Sequence, residues 1–358
     1  MSFRGRNLTQ EAGTLAETTP ETGIDLAALR QWLEKNVGEV AGGLHVRALT
    51  GGQSNPTFLI EGAHRKLVLR RKPIGSLIES AHAIDREFRV MRALADSPVP
   101  VPRCHGYCDD VSIAGAPFFV MDHVEGRIFV DPRLPGVPPE DRSRMFDAMA
   151  ETLAALHMQD PARLGLSDYG RPGGYLARQV NRWTRQYRAT EMDPIPAMDA
   201  LIEWLPGRVP DNDEAALVHG DFKLDNLIFH PTECRVVAVL DWELSTLGHP
   251  LADLAYHLMA WELPVGMARG LSGANLAGQG IPSMQTQLAS YSRRTGHTLP
   301  EPQLRLFLVY SMFRMAAIIQ GITWRAQHGT SQSPQAADLG VMTVPLAERA
   351  LSLAQSID

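Results

Sequence analysis

Three oxygen-bearing side chains stand at a spacing that suits phosphoryl transfer. Asp221 and Asn226 belong to His219-Gly-Asp-Phe-Lys-Leu-Asp-Asn226, and Asp241 closes the apolar run at 235–240. That reaction needs a carboxylate for the attacking hydroxyl and oxygen ligands for the magnesium that bridges the phosphates. Asp221 suits the first task, and Asn226 with Asp241 the second, since magnesium takes hard oxygen ligands at roughly 2.0–2.1 Å. The spacing predicts a strand at 226–229, a turn at 231–233 and a second strand at 235–240. Folding that hairpin is expected to set Asn226 opposite Asp241, with Cα atoms about 4.5–5.5 Å apart. The bland alternative is three unrelated polar residues at strand ends. An isolated aspartate has a pKa of about 3.9, so Asp221 would orient a hydroxyl and collect its proton late. Lys223 is either a contact for the transferred phosphate or a solvated loop lysine, and Glu243 either an outer ligand or half of a salt bridge.

The elements that must position these residues can be read outward from them. Residues 1–23, rich in Thr, Glu and Gly, read as a mobile leader. Asp25 opens a helix with Leu26, Leu29, Trp32, Leu33 and Val37 on one stripe. Three successive antiparallel strands follow at 45–50, 57–60 and 66–70, then a helix at 81–95 and a strand pair ending at 117–121. Beyond Asp122 the chain reads as mostly helical, broken by the hairpin. The fold class is therefore α+β, with a sheet-rich lobe at 24–122 and a larger helical lobe, containing the hairpin, at 123–358.

Two features of the first lobe bear on chemistry. Glu87 falls within the apolar arc of Ile84, Phe88, Met91, Leu94 and Ala95, and a carboxylate aimed at a core must be paired or protonated. Arg70, at the end of the third strand, is the candidate partner; the other reading puts Glu87 at the arc's edge, reaching water. The turn Gly51-Gly52-Gln53-Ser54-Asn55 offers backbone amides to an anion, although a hairpin turn calls for glycine anyway. It is neither a Walker A loop nor a dinucleotide fingerprint.

Composition narrows the classes. A hydrophobic share of 44% with 21% charged residues is that of a soluble globular protein. A net charge of -6 without a basic tail argues against a nucleic-acid partner. The apolar stretch at 306–322 carries Arg314 and Gln320, which favours a core helix over a membrane span. Three cysteines, at 104, 108 and 234, make neither a disulfide framework nor a zinc site. No apolar N-terminal segment directs secretion, and a cytoplasmic location is expected. Oligomeric state is not readable.

These motifs resemble the aminoglycoside phosphotransferase and choline kinase-like superfamily, whose bilobal fold is that of the protein kinases. The resemblance runs from about Asp25 to the C-terminal helices. It is most specific at His219-Gly-Asp221…Asn226, Leu240-Asp-Trp-Glu243 and Gly248-His-Pro-Leu-Ala-Asp253. The stretches Gly51-Gly-Gln-Ser-Asn55, Val68-Leu-Arg-Arg-Lys-Pro73 and Ala81-His-Ala-Ile-Asp-Arg-Glu87 are similar to the kinase-like domain of some acyl-CoA dehydrogenase fusion proteins. The resemblance implies ATP and magnesium as cofactors, Asp221 as catalytic base, and Asn226 and Asp241 as metal ligands. It also implies a phosphate contact from Arg70, Glu87 holding that cation, and backbone around Met121 to Val124, His123 included, taking the adenine. Asp253 would brace the catalytic loop. Two departures stand out. Arg70 occupies the place of a lysine, keeping the charge and gaining a bidentate edge, and Trp-Glu follows Asp241, so no protein-kinase activation segment is expected.

The implied partner is a small-molecule hydroxyl substrate, possible classes being a hydroxyacyl compound or CoA ester. An aminoglycoside acceptor and a nucleotide-binding protein without turnover are the alternatives. Arg178, Arg182, Arg185 and Arg188 form a basic helical face that is either solvated or borders an anionic acceptor. The glycine-rich segment at 264–282 reads as a lid or as a long loop.

Overall fold

The computed structural model describes residues 22–38, 40, 43–49, 55–74, 84–171, 173–210, 214–267, 269–297, 299–329 and 339–357. The class is α+β, and the chain divides into two compact units. One takes the chain through Ile128 together with Leu227–Ser245; the other takes Phe129–Asn226 and everything from Thr246.

The first unit is built on an antiparallel five-stranded sheet in the order β1-β2-β3-β5-β4. Its strands are β1 (His45–Ala48), β2 (Thr57–Glu61), β3 (Lys66–Arg71), β4 (Cys104–Cys108) and β5 (Phe118–Asp122). One face meets α1 (Leu26–Asn36) and the short α3 (Val111–Ala114), burying Leu29, Leu33, Phe58, Ile60, Leu67, Leu69 and Phe118 in one cluster. Asp25 is the N-cap of α1 and not its first turn: its side chain accepts the N–H groups of Ala27 and Ala28. The other face meets α2 (Ile84–Leu94), where the Phe88 ring lies 5.9 Å from Phe119 and 5.8 Å from Tyr107. Side chains alternate along a strand, so with Leu67 and Leu69 on the α1 side, Val68 and Arg70 turn toward α2. That alternation decides where Arg70 can act.

The hairpin of β7 (Leu227–Phe229) and β8 (Val236–Val239) groups with this sheet unit, not with the helical lobe where its sequence position put it. The reason is specific. Val239 N–H donates to the Pro100 carbonyl at 2.9 Å, and Arg127 exchanges both backbone hydrogen bonds with Phe229. The Arg127 side chain adds bonds to the carbonyls of His230 (3.0 Å) and Glu233 (2.7 Å). The register also differs from the expected one. Leu227 pairs with Val239, so the rung before it aligns 226 with 240 and not with 241. Asn226 itself ends a 3-10 turn, Leu224–Asn226, and does not begin the strand.

The second unit is helical around a small antiparallel pair, β6 (Ala216–Val218) and β9 (Thr246–Gly248). Its helices are α4 (Pro139–His157), α5 (Tyr175–Ala189), α6 (Pro196–Trp204), α7 (Pro250–Leu258), α8 (Met284–Thr295), α9 (Glu301–Gln327) and α10 (Thr343–Gln355). Proline at the start of α4, α6, α7 and α9 presets the helical φ where an N–H has no partner anyway. By length and composition α9 passes for a membrane span, yet 83% of its most apolar window is buried inside the protein, against α5, α7 and α10. It is the unit's central helix.

Gly126 lets the chain pass close to β7: a Cβ there would lie 2.3 Å from both Ile228 Cγ2 and the Phe229 carbonyl oxygen. Gly126→Ala is therefore expected to cost about 1–3 kcal/mol in urea unfolding. Gly207→Ala, where a Cβ meets nothing within 4 Å, should stay within about 0.5 kcal/mol. Equal stability of the two variants would refute this close approach.

Candidate active site

In the first unit the chemistry gathers on Arg70. Its Nε donates to Glu87 Oε2 at 2.8 Å, and one terminal nitrogen donates to Asp241 Oδ1 at 2.7 Å. Glu87, 2% exposed, is thus paired as its place in the apolar arc of α2 requires. Burial pushes its carboxyl up to about 7 against the pull of Arg70, and the charges of Asp241 and Glu243 add to the rise. Burial alone would lower the Arg70 guanidinium, but Glu87, Asp241 and Glu243 together hold it above its ordinary value. Asp241 has φ +66°, a left-handed conformation uncommon outside glycine and asparagine. The turn that follows, Trp242–Leu244, is anchored by the fully buried Trp242, whose indole N–H donates to the Val239 carbonyl.

The other first-unit candidates have these places. Gly51, Gly52, Gln53 and Ser54 lie outside the described residues. Asn55 is 1% exposed, and its carbonyl accepts from the Thr57 hydroxyl. Met121 stands on β5, paired with Val68 of β3, and the backbone N–H of His123 donates to the Lys66 carbonyl. Burial, and then Lys66, lower the His123 imidazole below its ordinary value.

In the second unit the loop after β6 carries Asp221. Its carboxylate accepts from Lys223 Nζ (2.6 Å) and Asn226 Nδ2 (2.9 Å) on one oxygen and from the Tyr256 hydroxyl (2.7 Å) on the other. Burial would raise this carboxyl, yet Lys223, Tyr256 and His219 together hold it below the usual range. Tyr256 stays a donor, because burial and the neighbouring Asp221 charge push its hydroxyl well above the ordinary value. Asn226 gives its amide hydrogens to Asp221, both side chain and carbonyl (2.9 Å), which leaves its own carbonyl oxygen without a protein donor among the described residues.

The loop is held from below. Asp253, 2% exposed on α7, accepts the backbone N–H groups of His219 (2.5 Å) and Gly220 (2.7 Å). Gly220 has φ +83°, a conformation that fits glycine, and its carbonyl accepts from Arg314 of α9 at 2.6 Å. Arg314 is itself buried, its guanidinium 5.1 Å from the Tyr256 ring centroid and 5.5 Å from that of Trp183. One glycine is thereby gripped through both its N–H and its C=O.

The sequence missed Tyr256 and left Arg314 without a task. A signal for Tyr256 existed: it lies three residues after Asp253 in a helix, hence on the same face. The basic face on α5 is largely taken up internally. Arg178 donates to the carbonyls of Arg171 and Gly173, and Arg188 pairs with Glu191 and Asp199. At the end of the segment 264–282, Arg142 donates to the Gln279 carbonyl and Trp261 to the Pro282 carbonyl.

The donor set suits magnesium. Among the described residues no three His, Cys, Asp or Glu side chains gather as a cage, and magnesium needs none, taking one or two carboxylates with water and phosphate oxygens. Each unit by itself offers one hard oxygen of that kind, the oriented Asn226 carbonyl oxygen in the second and the other carboxylate oxygen of Asp241 in the first.

Comparison with known proteins bears on the family and the fold. Residues 45–285 match the model of the phosphotransferase enzyme family. Acyl-CoA dehydrogenase family member 11 of Homo sapiens is 43% identical over 95% of this chain and 44% of its own length. The chain thus spans less than half of the curated relatives it matches. A solved structure from Ralstonia eutropha JMP134, provisionally described as an aminoglycoside phosphotransferase, is 45% identical with a TM-score of 0.85, covering 93% of this chain and 98% of that one. A thermostable mutant of aminoglycoside phosphotransferase APH(4)-Ia, bound to AMP-PNP and hygromycin B, shares the fold at 16% identity. Its TM-score is 0.59, over 91% of this chain and 98% of that one.

Next to Tyr256 on α7, His257 is fully buried, and that burial pushes its imidazole down to about 4 despite a bond to Gln287. Unfolded, it takes a proton near its ordinary value of about 6.5. Its contribution to stability is therefore complete above pH 6.5 and lost as the pH falls toward 4. His257→Gln should flatten the fall in urea midpoint between pH 7 and 4.5, which in the parent includes up to about 3 kcal/mol from this group. Parallel pH profiles would show that His257 does not titrate in this way.

Proposed function

The chain belongs to the phosphotransferase enzyme family, and on that premise we propose that it is an ATP- and magnesium-dependent kinase of a small-molecule hydroxyl. One observation carries the reading: Asp221 sits ionised in a loop whose backbone is fixed by Asp253 and whose carboxylate is oriented by Lys223, Asn226 and Tyr256. As the acceptor oxygen bonds to the γ-phosphorus and the bond to the ADP oxygen breaks, Asp221 takes the hydroxyl proton. A carboxylate stabilised by three donors accepts it late, once the oxygen has given up its charge to the phosphoryl group.

Asn226 and Asp241 are the proposed protein ligands of magnesium, which when bound neutralises phosphate charge and aligns the transferred group. Arg70 has two of its five N–H groups engaged, by Glu87 and Asp241. The remainder are available to phosphate oxygens, and the fixed guanidinium needs no reorganisation to meet them. Gly51, Gly52, Gln53, Ser54 and Asn55 are assigned to cover the phosphates, and the backbone from Met121 through His123 to receive the adenine. Lys223 is assigned to the transferred phosphoryl group, a hydrogen-bond length from the base.

For the acceptor, a hydroxyacyl compound or its CoA ester is the reading we favour, supported by the kinship to acyl-CoA dehydrogenase family proteins. An aminoglycoside is the second reading, supported by the descriptions of the structural neighbours.

ADP release with a panel of hydroxy acids, hydroxyacyl-CoAs, simple alcohols and kanamycin separates these. A hydroxyacyl compound is expected to stimulate ADP release, and kanamycin is not; the reverse would reject the favoured acceptor, and no stimulation by any would reject the kinase. Asp221→Ala should lower stimulated turnover by about 10²–10⁴-fold while AMP-PNP still binds with near-parent affinity.

A further inference from the structure

Beside Asp221 the second unit holds a small pocket, about 50 Å³, whose walls include Phe146, Met149, Lys223, Tyr256, Trp261 and Arg269. No Asp or Glu lines it, and its two charged side chains are both cations. Lys223 is already turned onto Asp221. Arg269 is the other cation, and three features set it apart. Its backbone has φ +66°, which costs a side-chain-bearing residue energy. One terminal nitrogen donates to Asp225 Oδ2 at 2.6 Å, while its Nε is buried with no partner among the described residues. Asp225 Oδ1 is likewise buried with no partner among the described residues.

An arginine and a carboxylate at this distance normally meet edge to edge through two hydrogen bonds, and that form is the stronger one. Here only one is made, and a desolvated donor and acceptor are left over, each unfavourable by itself. Backbone strain, a half-made ion pair and a place in the wall beside the base coincide at one residue. Strain of this kind concentrates at ligand sites.

We propose, resting on the phosphotransferase reading above, that Arg269 is a specificity-determining residue that receives a carboxylate of the acceptor. The acceptor's apolar carbons lie against Phe146, Met149 and Trp261. Asp225 holds the guanidinium in place until the ligand's carboxylate takes over the donors.

The test is calorimetric titration of the whole chain with 3-hydroxybutanoate and, separately, its uncharged amide. The parent should bind the acid at least about tenfold more tightly, the value of one charge-assisted hydrogen bond to a half-buried arginine. Arg269→Gln should erase that gap and Arg269→Lys should keep part of it. Asp225→Asn should preserve or widen it, because the competing carboxylate is gone. If Arg269 served only to steady the catalytic loop through Asp225, both Arg269→Gln and Asp225→Asn would weaken binding alike, and that result overturns the proposal. So does equal or undetectable binding of the two probes by the parent, or a gap that survives Arg269→Gln. Binding is measured without turnover: a chain that prefers the acid but never releases ADP would sink the kinase and leave Arg269 standing. A chain that phosphorylates acceptors without preferring the acid would do the opposite.

Discussion

A carboxylate with no route to water has to find its donors inside the protein. Asp253 is in that position, and it finds them in the backbone N–H groups of His219 and Gly220. Burial would otherwise raise its carboxyl, yet its hydrogen bond and charge interaction with His157, and then His219, hold it below the ordinary range, so the charge persists. The pairing works in both directions. The amides keep the acid ionised, and the acid dictates the course of the loop that presents Asp221. Arg314 completes the arrangement from the carbonyl side of Gly220. A buried cation and a buried anion, on α9 and α7, thus meet through a peptide and not through each other. Substituting either would leave the other stranded in a low-dielectric interior.

In the first unit the organising rule is simpler. The two-residue period of β3 puts Arg70 on the face covered by α2, and Glu87 meets it there. Arg71, one residue on, faces the other way and donates to the carbonyls of Ala114 and Thr22. Two adjacent arginines serve unrelated purposes because a strand turns successive side chains to opposite sides. A one-residue slip of β3 would exchange those purposes.

Much of this was legible in the chain. The alternation of β2 and β3, the arc of α2 with Glu87 inside it, and the apolar run of α9 are local patterns, and all three elements are present. What failed was nonlocal. The hairpin register departs from the symmetric expectation because the turn sets Phe229 opposite Val236, and the bulge between Ile228 and Phe229 recovers only one of the two residues of offset. Its attachment to the sheet unit depends on Pro100 and on Arg127, the latter 103 residues before the His230 carbonyl it holds. Asn226 forms a turn and not a strand because it reaches back to the Asp221 carbonyl. Tyr256 meets Asp221 across 35 residues, and only the Asp253-to-Tyr256 spacing on α7 hinted at it.

The left-handed backbone at Asp241 has a consequence for how this chain can change over generations. Asparagine is the substitute that tolerates that conformation best while keeping the shape of the side chain. It nevertheless removes a negative charge from beside Arg70. An asparagine here would keep the turn while taking from Arg70 one of the two carboxylates it donates to.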